Sequence, residues 1–357
     1  MQINSLPDLG WNNFFQSQLN LESLESQFPF RVVSVQRNLV ECVGLDEESH
    51  QKHLQLSTYF WRHDSPEMHP AVGDWIMVDR SFNPICILER KTDIKRRGAG
   101  KESFVQLIAS NIDTIFIVTS CNNEFSINRI ERYLAIAAET GIDCVLVLTK
   151  TDLCPDVSPY VESLSRSLPE LPVERVNATD PEALRELEKW IAYGQTVALL
   201  GSSGVGKSTI INGLKGSEDQ GTAAIRESDS KGRHTTTSRS LHRLAGGGLL
   251  LDNPGMRELQ IVDSEEGIRS AFSDIDTLAQ QCRFKDCQHS NEPGCAVIRA
   301  VEAGRLEQRR LDNYRKLKSE QARNNESLAE RRSSDRALGR FYKHAKLSSR
   351  RFKSREH

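Results

Sequence analysis

Residues 201–208 read Gly201-Ser202-Ser203-Gly204-Val205-Gly206-Lys207-Ser208, a match to G-x-x-x-x-G-K-[ST]. Glycines at these positions let backbone N–H groups turn inward around phosphate oxygens. Lys207 then reaches the terminal phosphates, and the Ser208 hydroxyl is placed to ligate Mg²⁺. The pattern carries this meaning only between a strand and a helix; elsewhere it is a glycine-rich turn. Here the apolar run Val197-Ala198-Leu199-Leu200 precedes it, and Thr209-Ile210-Ile211-Asn212-Gly213-Leu214 follows with helical character. A second set of chemistry-bearing residues lies further on: Cys282-x4-Cys287-x-His289-x5-Cys295. Three thiolates and one imidazole fill a tetrahedral Zn²⁺ shell and leave no position for water, so one structural ion is expected. The spacing is not that of a common zinc finger. A redox thiol pair and chance clustering are the competing readings.

Thr149-Lys150-Thr151-Asp152 closes the apolar run Cys144-Val145-Leu146-Val147-Leu148 and resembles the Asn-Lys-x-Asp element of GTPases. Asp152 can accept from both N1–H and the 2-amino group of guanine. Adenine lacks those donors, so a carboxylate here discriminates by leaving a buried group unpaired. The Lys150 stem can lie over the base. Thr149 stands where the usual residue is Asn. Val176-Asn177-Ala178 resembles the short loop whose backbone N–H groups meet the guanine O6. Leu249-Leu250-Leu251-Asp252-Asn253-Pro254-Gly255 ends a hydrophobic strand in Asp-x-x-Gly. Asp252 would hold the Mg²⁺ shell through water, and the Gly255 N–H would face the γ-phosphate. Between this element and the phosphate loop lies Lys231-Gly232-Arg233-His234-Thr235-Thr236-Thr237. A threonine there ligates Mg²⁺ only when the γ-phosphate is present, which makes the segment a switch. Ras-like enzymes place a glutamine directly after Asp-x-x-Gly to orient the attacking water. Met256 occupies that position and cannot do so. His234 is the nearest side chain that could; otherwise it is a solvent-exposed loop histidine.

The order along the chain is base reader, phosphate loop, switch I, switch II. In an ordinary GTPase the base reader comes last, so this chain reads as a circular permutation. Such a rearrangement can keep the sheet, because domain termini often lie close together.

These elements need scaffolds, and the rest of the chain supplies three. Residues 31–92 contain five short strand-like runs: Arg31-Val32-Val33-Ser34-Val35, Leu39 to Val43, His53 to Leu56, Trp75 to Val78 and Ile85 to Leu88. Five strands in this space suggest a small barrel of the OB type, a fold used both for nucleic acid and for protein docking. Val297 to Leu328 is charged and helix-like. From Arg331 to His357 ten Lys/Arg stand against Asp335 and Glu356, with Phe341, Tyr342 and Phe352 interleaved. The whole chain of 357 residues has 47 basic and 49 acidic residues, so the body without the tail holds 37 against 47. That segregation suggests an arm that neutralises RNA phosphates; the bland reading is a solvated tail. Mean hydropathy is −0.50 and no run of 18 apolar residues occurs, so no membrane span is expected. Met1-Gln2-Ile3-Asn4-Ser5-Leu6-Pro7 has neither the basic nor the apolar region of a secretory signal. Five of eight cysteines are scattered, which argues against a disulfide framework and for a reducing cytoplasm.

Together these motifs resemble the RsgA (YjeQ) family of circularly permuted GTPases that depend on the small ribosomal subunit. The resemblance runs from about residue 30 to about residue 300. It includes Val72-Gly73-Asp74-Trp75, Gln106-Leu107-Ile108-Ala109-Ser110-Asn111-Ile112-Asp113, Gly232 to Thr237 and the Cys/His cluster. Thr149, Ser110 and Asn253 depart from its usual residues. The resemblance implies a multidomain α/β chain in five parts: an N-terminal extension (1–30), an OB-fold barrel (31–95), a permuted GTPase domain (96–275), a zinc-binding helical domain (276–330) and a basic tail (331–357). It implies a cytoplasmic, monomeric late assembly factor that docks on the 30S subunit and its 16S rRNA, hydrolyses GTP to GDP and is thereby released. By position it carries Lys207 and Ser208 over as phosphate and Mg²⁺ ligands, Lys150 and Asp152 as base readers, and Thr236 as the switch I Mg²⁺ ligand. Asp252 and Gly255 become switch II, and His234 the water-positioning group. Two other classes stay open on residues alone. A P-loop ATPase unrelated to ribosomes would be separated by GTP/ATP competition. An RNA-binding scaffold using nucleotide only structurally would be separated by single-turnover hydrolysis.

Overall fold

Short runs rich in apolar residues between Phe28 and Ile87 form five antiparallel strands: β1 (Phe28–Val35), β2 (Leu39–Leu45), β3 (Gln51–Ser57), β4 (Trp75–Val78) and β5 (Pro84–Ile87). The structure is a computed structural model and describes residues 1–61, 68–97, 105–216, 239–252 and 264–325. The strands pair in the order β3-β2-β1-β4-β5. Phe30, Val32, Val40, Cys42, Ile76 and Val78 fill the interior. This is a partly open five-stranded barrel of the OB type. Residues 1–19 are packed rather than loose. A 3-10 turn (Leu6–Leu9) and the short helix α1 (Asn13–Gln16) bring Ile3, Leu9 and Phe15 onto Val43, Trp75 and Met77 of the barrel, while α2 (Leu21–Ser26) buries no residue.

After the barrel, β6 (Asp93–Arg97) and β7 (Val105–Ser110) form a two-stranded sheet of their own, so a boundary at residues 95 and 96 passes through β6. An α/β unit follows: β8 (Thr114–Ser120), α3 (Ile127–Thr140), β9 (Asp143–Thr149), α4 (Ser158–Ser167), β10 (Val173–Val176), α5 (Pro181–Arg185), β11 (Thr196–Leu200), α6 (Lys207–Lys215), β12 (Arg239–Arg243) and β13 (Leu249–Asp252). Its sheet order is β10-β9-β8-β11-β13-β12, parallel except for β12. Fully buried strands such as β8 read as unbroken apolar runs because helices cover both faces. The phosphate-loop strand β11 sits at the centre, although it follows β8, β9 and β10 in the chain. Spatial order is thus kept while chain order is permuted. β12 also pairs with β1 (Ser34 with Ser240), which makes barrel and GTPase sheet continuous.

Arg31, on β1, is the largest polar side chain wholly inside among the described residues. Its guanidinium donates to the carbonyls of Leu9, Gly73 (3.1 Å) and Asn111 (3.1 Å) and to Thr196 Oγ1 (3.1 Å). One residue therefore joins the N-terminal segment, the barrel and β11. Burial pushes its pKa down to about 10 against the opposing pull of Asp113 and Asp74, so it stays charged at neutral pH. Arg31→Met would strip donors from several buried acceptors at about 1–3 kcal/mol each. The variant should melt well below wild type in thermal unfolding; an unchanged midpoint would show that the guanidinium is not the joint.

The C-terminal part is helical: α7 (Glu265–Ala271), α8 (Ser273–Ala279), α9 (Ala296–Glu302) and α10 (Gln308–Asn325). The helix-like stretch from Val297 is two helices, because Gly304 takes a left-handed φ of +68° and turns the chain between them. Val297, Leu311 and Leu317 join the same apolar core as β8, β9 and α3. Glu131 of α3, wholly buried, accepts from Arg309, Arg310 and Asn313 of α10. Among the described residues no helix is long and apolar enough to cross a membrane.

Candidate nucleotide site and metal centre

Because β10, β9, β8, β11 and β13 run parallel, their carboxyl ends (Val176, Thr149, Ser120, Leu200 and Asp252) share one edge. In open α/β sheets ligands bind beyond that edge. β11 delivers the phosphate loop there. Gly201, Gly204 and Gly206 have φ of +157°, +79° and +100°. A β-carbon on Gly201 would lie 2.3 Å from the Val118 carbonyl oxygen, so only glycine fits against β8. Val205 is buried and anchors the loop, while Ser203, Gly204, Ser208 and Thr209 are exposed. α6 begins at Lys207, adding a helix N-terminus to the loop N–H groups. Lys207 Nζ arches over the loop and donates to the carbonyls of Gly201 (2.7 Å) and Ser202.

β9 delivers the Thr149-Lys150-Thr151-Asp152 element beside it. Lys150 takes a left-handed φ of +57°, and Thr151–Leu153 form a single 3-10 turn that leaves the Asp152 side chain exposed. Thr149 is fully buried, and its hydroxyl lies 2.6 Å from the Val205 carbonyl and 3.1 Å from that of Thr119. β10 pairs with β9 (Val176 with Thr149), which sets the Asn177-Ala178 loop next to Lys150. Asn177 Oδ1 accepts from the N–H (3.0 Å) and hydroxyl (2.8 Å) of Thr179, fixing that turn. On the far side Asp252 ends β13 and lies 3.5 Å from Lys215 Nζ. The Lys150–Asp152 turn, the glycine loop and Asp252 thus converge. Gly255, His234 and Thr236 lie outside the described residues. Sequence reasoning missed Glu124, in the loop after β8. Its carboxylate accepts from Ser202 Oγ (3.0 Å) and pairs with Arg129 (3.0 Å). Those hydrogen bonds hold its pKa below the ordinary range, Arg129 first. The one available signal was position: a polar turn after an apolar strand at the ligand edge.

Cys282, Cys287, His289 and Cys295 bring their ligand atoms within 4.8 Å of one another. Cys282 Sγ is 3.8 Å from Cys295 Sγ, and His289 Nδ1 is 3.7 and 3.5 Å from these sulfurs. A tetrahedron with Zn–S of about 2.3 Å and Zn–N of about 2.0–2.1 Å has edges of about 3.8 and 3.6 Å. His289 reaches its place through a φ of +56°. Burial lowers its pKa and favours the neutral imidazole a metal needs. Burial opposes ionisation of Cys282, but hydrogen bonds from the Ala296 and Val297 N–H groups together with those of Cys295 and Cys287 outweigh it and draw the thiol pKa down. Cys287 is pushed up to about 12, by burial first and then by the neighbouring sulfurs. Three crowded sulfurs cannot all ionise without a cation, and the donor set fits Zn²⁺.

Comparison with known proteins agrees with this geometry. The Vibrio vulnificus protein named "Small ribosomal subunit biogenesis GTPase RsgA 2" is 47% identical over 353 residues, covering 99% of this chain and 98% of that protein. The chain belongs to the RsgA GTPase family. A sequence profile described as RsgA GTPase matches residues 87–262. A second RsgA, from Mesorhizobium japonicum, is 46% identical over 324 residues, 90% of this chain and 91% of that one. The crystal structure of YjeQ from Thermotoga maritima superposes with a TM-score of 0.59 at 24% identity, over 82% of this chain and 97% of that one. YloQ, described as a circularly permuted GTPase, gives 0.57 at 22% identity over 86% and 96%. The fold of this RsgA chain is therefore that of the permuted GTPases.

Proposed function

We propose that the protein is a GTPase that binds the small ribosomal subunit and hydrolyses GTP to GDP during late subunit assembly. The observation that carries this reading is the convergence of the phosphate loop with the Lys150–Asp152 turn at one sheet edge, in a chain whose relatives are named small ribosomal subunit biogenesis GTPases. Asp152 and Lys150 hold the base, and the loop N–H groups and Lys207 hold the phosphates. Ser208, Thr236 and water on Asp252 would hold Mg²⁺, which when bound offsets the charge developing between the β- and γ-phosphates. One structural Zn²⁺ sits in the Cys₃His cluster. 16S rRNA is the nucleic-acid partner, and the chain works as a monomer. Switch I precedes β12, which pairs with both β13 and the barrel strand β1, so the nucleotide state can be felt at the barrel. The decisive experiment titrates GTP hydrolysis, with ATP as competitor, against isolated 30S particles. Slow basal turnover that rises with particle concentration is expected; turnover indifferent to 30S, or equal use of ATP, would overturn the reading.

On this assignment His234→Ala should keep GTP binding and lose most 30S-stimulated turnover. Met256 gives switch II no water-orienting group, and removing a transition-state interaction lowers kcat. Near-normal stimulated rates would move that role to a ribosomal group or to backbone. Deleting residues 331–357 should weaken 30S binding and flatten its salt dependence, by roughly 0.7–0.9 in log–log slope for each phosphate that the tail no longer neutralises. Basal hydrolysis should not change. Affinity at two salt concentrations, with and without the tail, decides; an unchanged slope leaves recognition to the barrel and zinc domain.

A further inference from the structure

We infer that Thr149 is a positioning residue that fastens the base-reading turn to the phosphate loop, and that guanine N7 in consequence goes unread by this protein. The inference rests on the guanine-nucleotide reading above and extends it to how the base is held. Thr149 is the last residue of β9, and Lys150 and Asp152 follow it directly. Its hydroxyl sits 2.6 Å from the carbonyl of Val205, the loop residue two before Lys207. The contact spans 56 residues of sequence and is a direct hydrogen bond from base reader to phosphate cradle. Gly206 packs on the same side chain: a β-carbon there would lie 3.6 Å from Thr149 Oγ1.

Donor counting gives the consequence. A hydroxyl has one proton to donate; a carboxamide has two. The asparagine usual at this position could give one N–H to the loop carbonyl and still offer the other to the base. Guanine presents two acceptors on that edge, O6 and N7. O6 is served by the backbone of the Asn177-Ala178 loop in the proposed reading. Thr149 has two carbonyls, Val205 and Thr119, competing for its single proton, so none remains for N7. Nor has it any surface to offer: the residue is 0% exposed. Its contribution to binding is therefore indirect, through the mutual position of Val205 and Lys150. It should act on every nucleotide that uses both parts of the site, whatever the atom at position 7.

The test measures binding of GDP and of 7-deaza-GDP, with Mg²⁺, to the full-length protein by titration calorimetry. Wild type should bind the two within about twofold, since Thr149 leaves no donor for N7. Thr149→Val, which keeps shape and removes the hydroxyl, should weaken both equally, by about tenfold. Thr149→Ser should stay near wild type. Thr149→Asn should create a preference for GDP over 7-deaza-GDP of about fivefold, the size of one added hydrogen bond. A side chain with a merely structural role would not produce that new dependence on one base atom. Wild type preferring GDP by about fivefold or more, Thr149→Val binding as wild type, or Thr149→Asn without the new preference would each overturn the inference. If Thr149→Val does not fold, the wild-type, Ser and Asn measurements decide alone. Wild type binding neither nucleotide would instead overturn the guanine-nucleotide reading.

Discussion

Removing zinc will unfold the segment around residues 280–296 and loosen α9 and α10, while the parallel sheet stays folded. From Gln280 to Cys295 the chain forms no helix or strand. Its polar and charged residues are mostly exposed, and Phe284 is 40% exposed. Such a loop buries too little apolar surface to offset its own ordering entropy. A closed Cys₃His site supplies what is missing: structural zinc binding in small peptides contributes about 10–16 kcal/mol near neutral pH. α9 begins on Cys295 of the proposed zinc site, whose Sγ accepts from the Ile298 N–H (3.4 Å), so losing the ion should also loosen that helix start. α10 is held separately, by Glu131 with Arg309, Arg310 and Asn313 and by a 2.5 Å Arg132–Glu320 pair. It should therefore loosen rather than melt. Metal analysis should give about one zinc per chain. Hydrogen exchange after chelation should rise steeply at 282–298 and hardly at all in β8, β9 and β11. Cys295→Ser should reproduce the pattern. A metal-free protein with unchanged exchange at 282–298 would remove the zinc assignment.

The site was legible where chemistry fixes residue type at fixed spacing. Gly201 stands where the G-x-x-x-x-G-K-[ST] pattern places a glycine, and Asp152 stands where the proposed reading places the two donors of guanine; both are fixed by spacing within a short motif and are visible in a string of letters. The strands were legible because burial on both faces leaves apolar runs such as Val197–Leu200 and Leu249–Leu251. Contacts between distant segments were not. Nothing near Arg31 marks it as a buried joint: an arginine opening an apolar run reads as the exposed end of a strand, and its partners lie 22 to 165 residues away. Glu131 reads as one more polar position on the solvent side of α3 until α10 is laid over it. The packing of residues 1–30 was missed for a related reason. Its helices are four and six residues long, too short for a periodic signal, and what fixes the segment is Leu9 of the 3-10 turn and Phe15 of α1 against Trp75. Thr149 is the instructive case. As a letter it is a departure from Asn. In three dimensions its hydroxyl reaches Val205, so the departure concerns the base contact and not the tie to the loop.

Asp152→Asn should lose guanine nucleotides and gain xanthine nucleotides. The carboxylate lies on an exposed one-turn helix immediately after the left-handed Lys150, and β9 and Thr149 hold that turn in register with the phosphate loop. In the proposed reading its two oxygens accept from N1–H and the 2-amino group. An asparagine keeps one acceptor and points an N–H donor at the 2-amino group, so one hydrogen bond becomes a donor–donor clash and the other loses its charge. The expected loss is about 2–4 kcal/mol, or roughly 30-fold to 1,000-fold in GDP affinity. Xanthine carries a carbonyl where guanine carries the 2-amino group, and the new N–H meets it. Xanthosine diphosphate should therefore bind the variant more tightly than GDP does, reversing the wild-type order, with the phosphate contacts of Gly201 to Ser208 unchanged. The same reversal in hydrolysis of the two triphosphates would place the effect in base recognition and leave Lys207 and the switches untouched. Equal GDP affinity in wild type and variant would mean that Asp152 does not read the base, and the permuted order inferred from it would lose its first element.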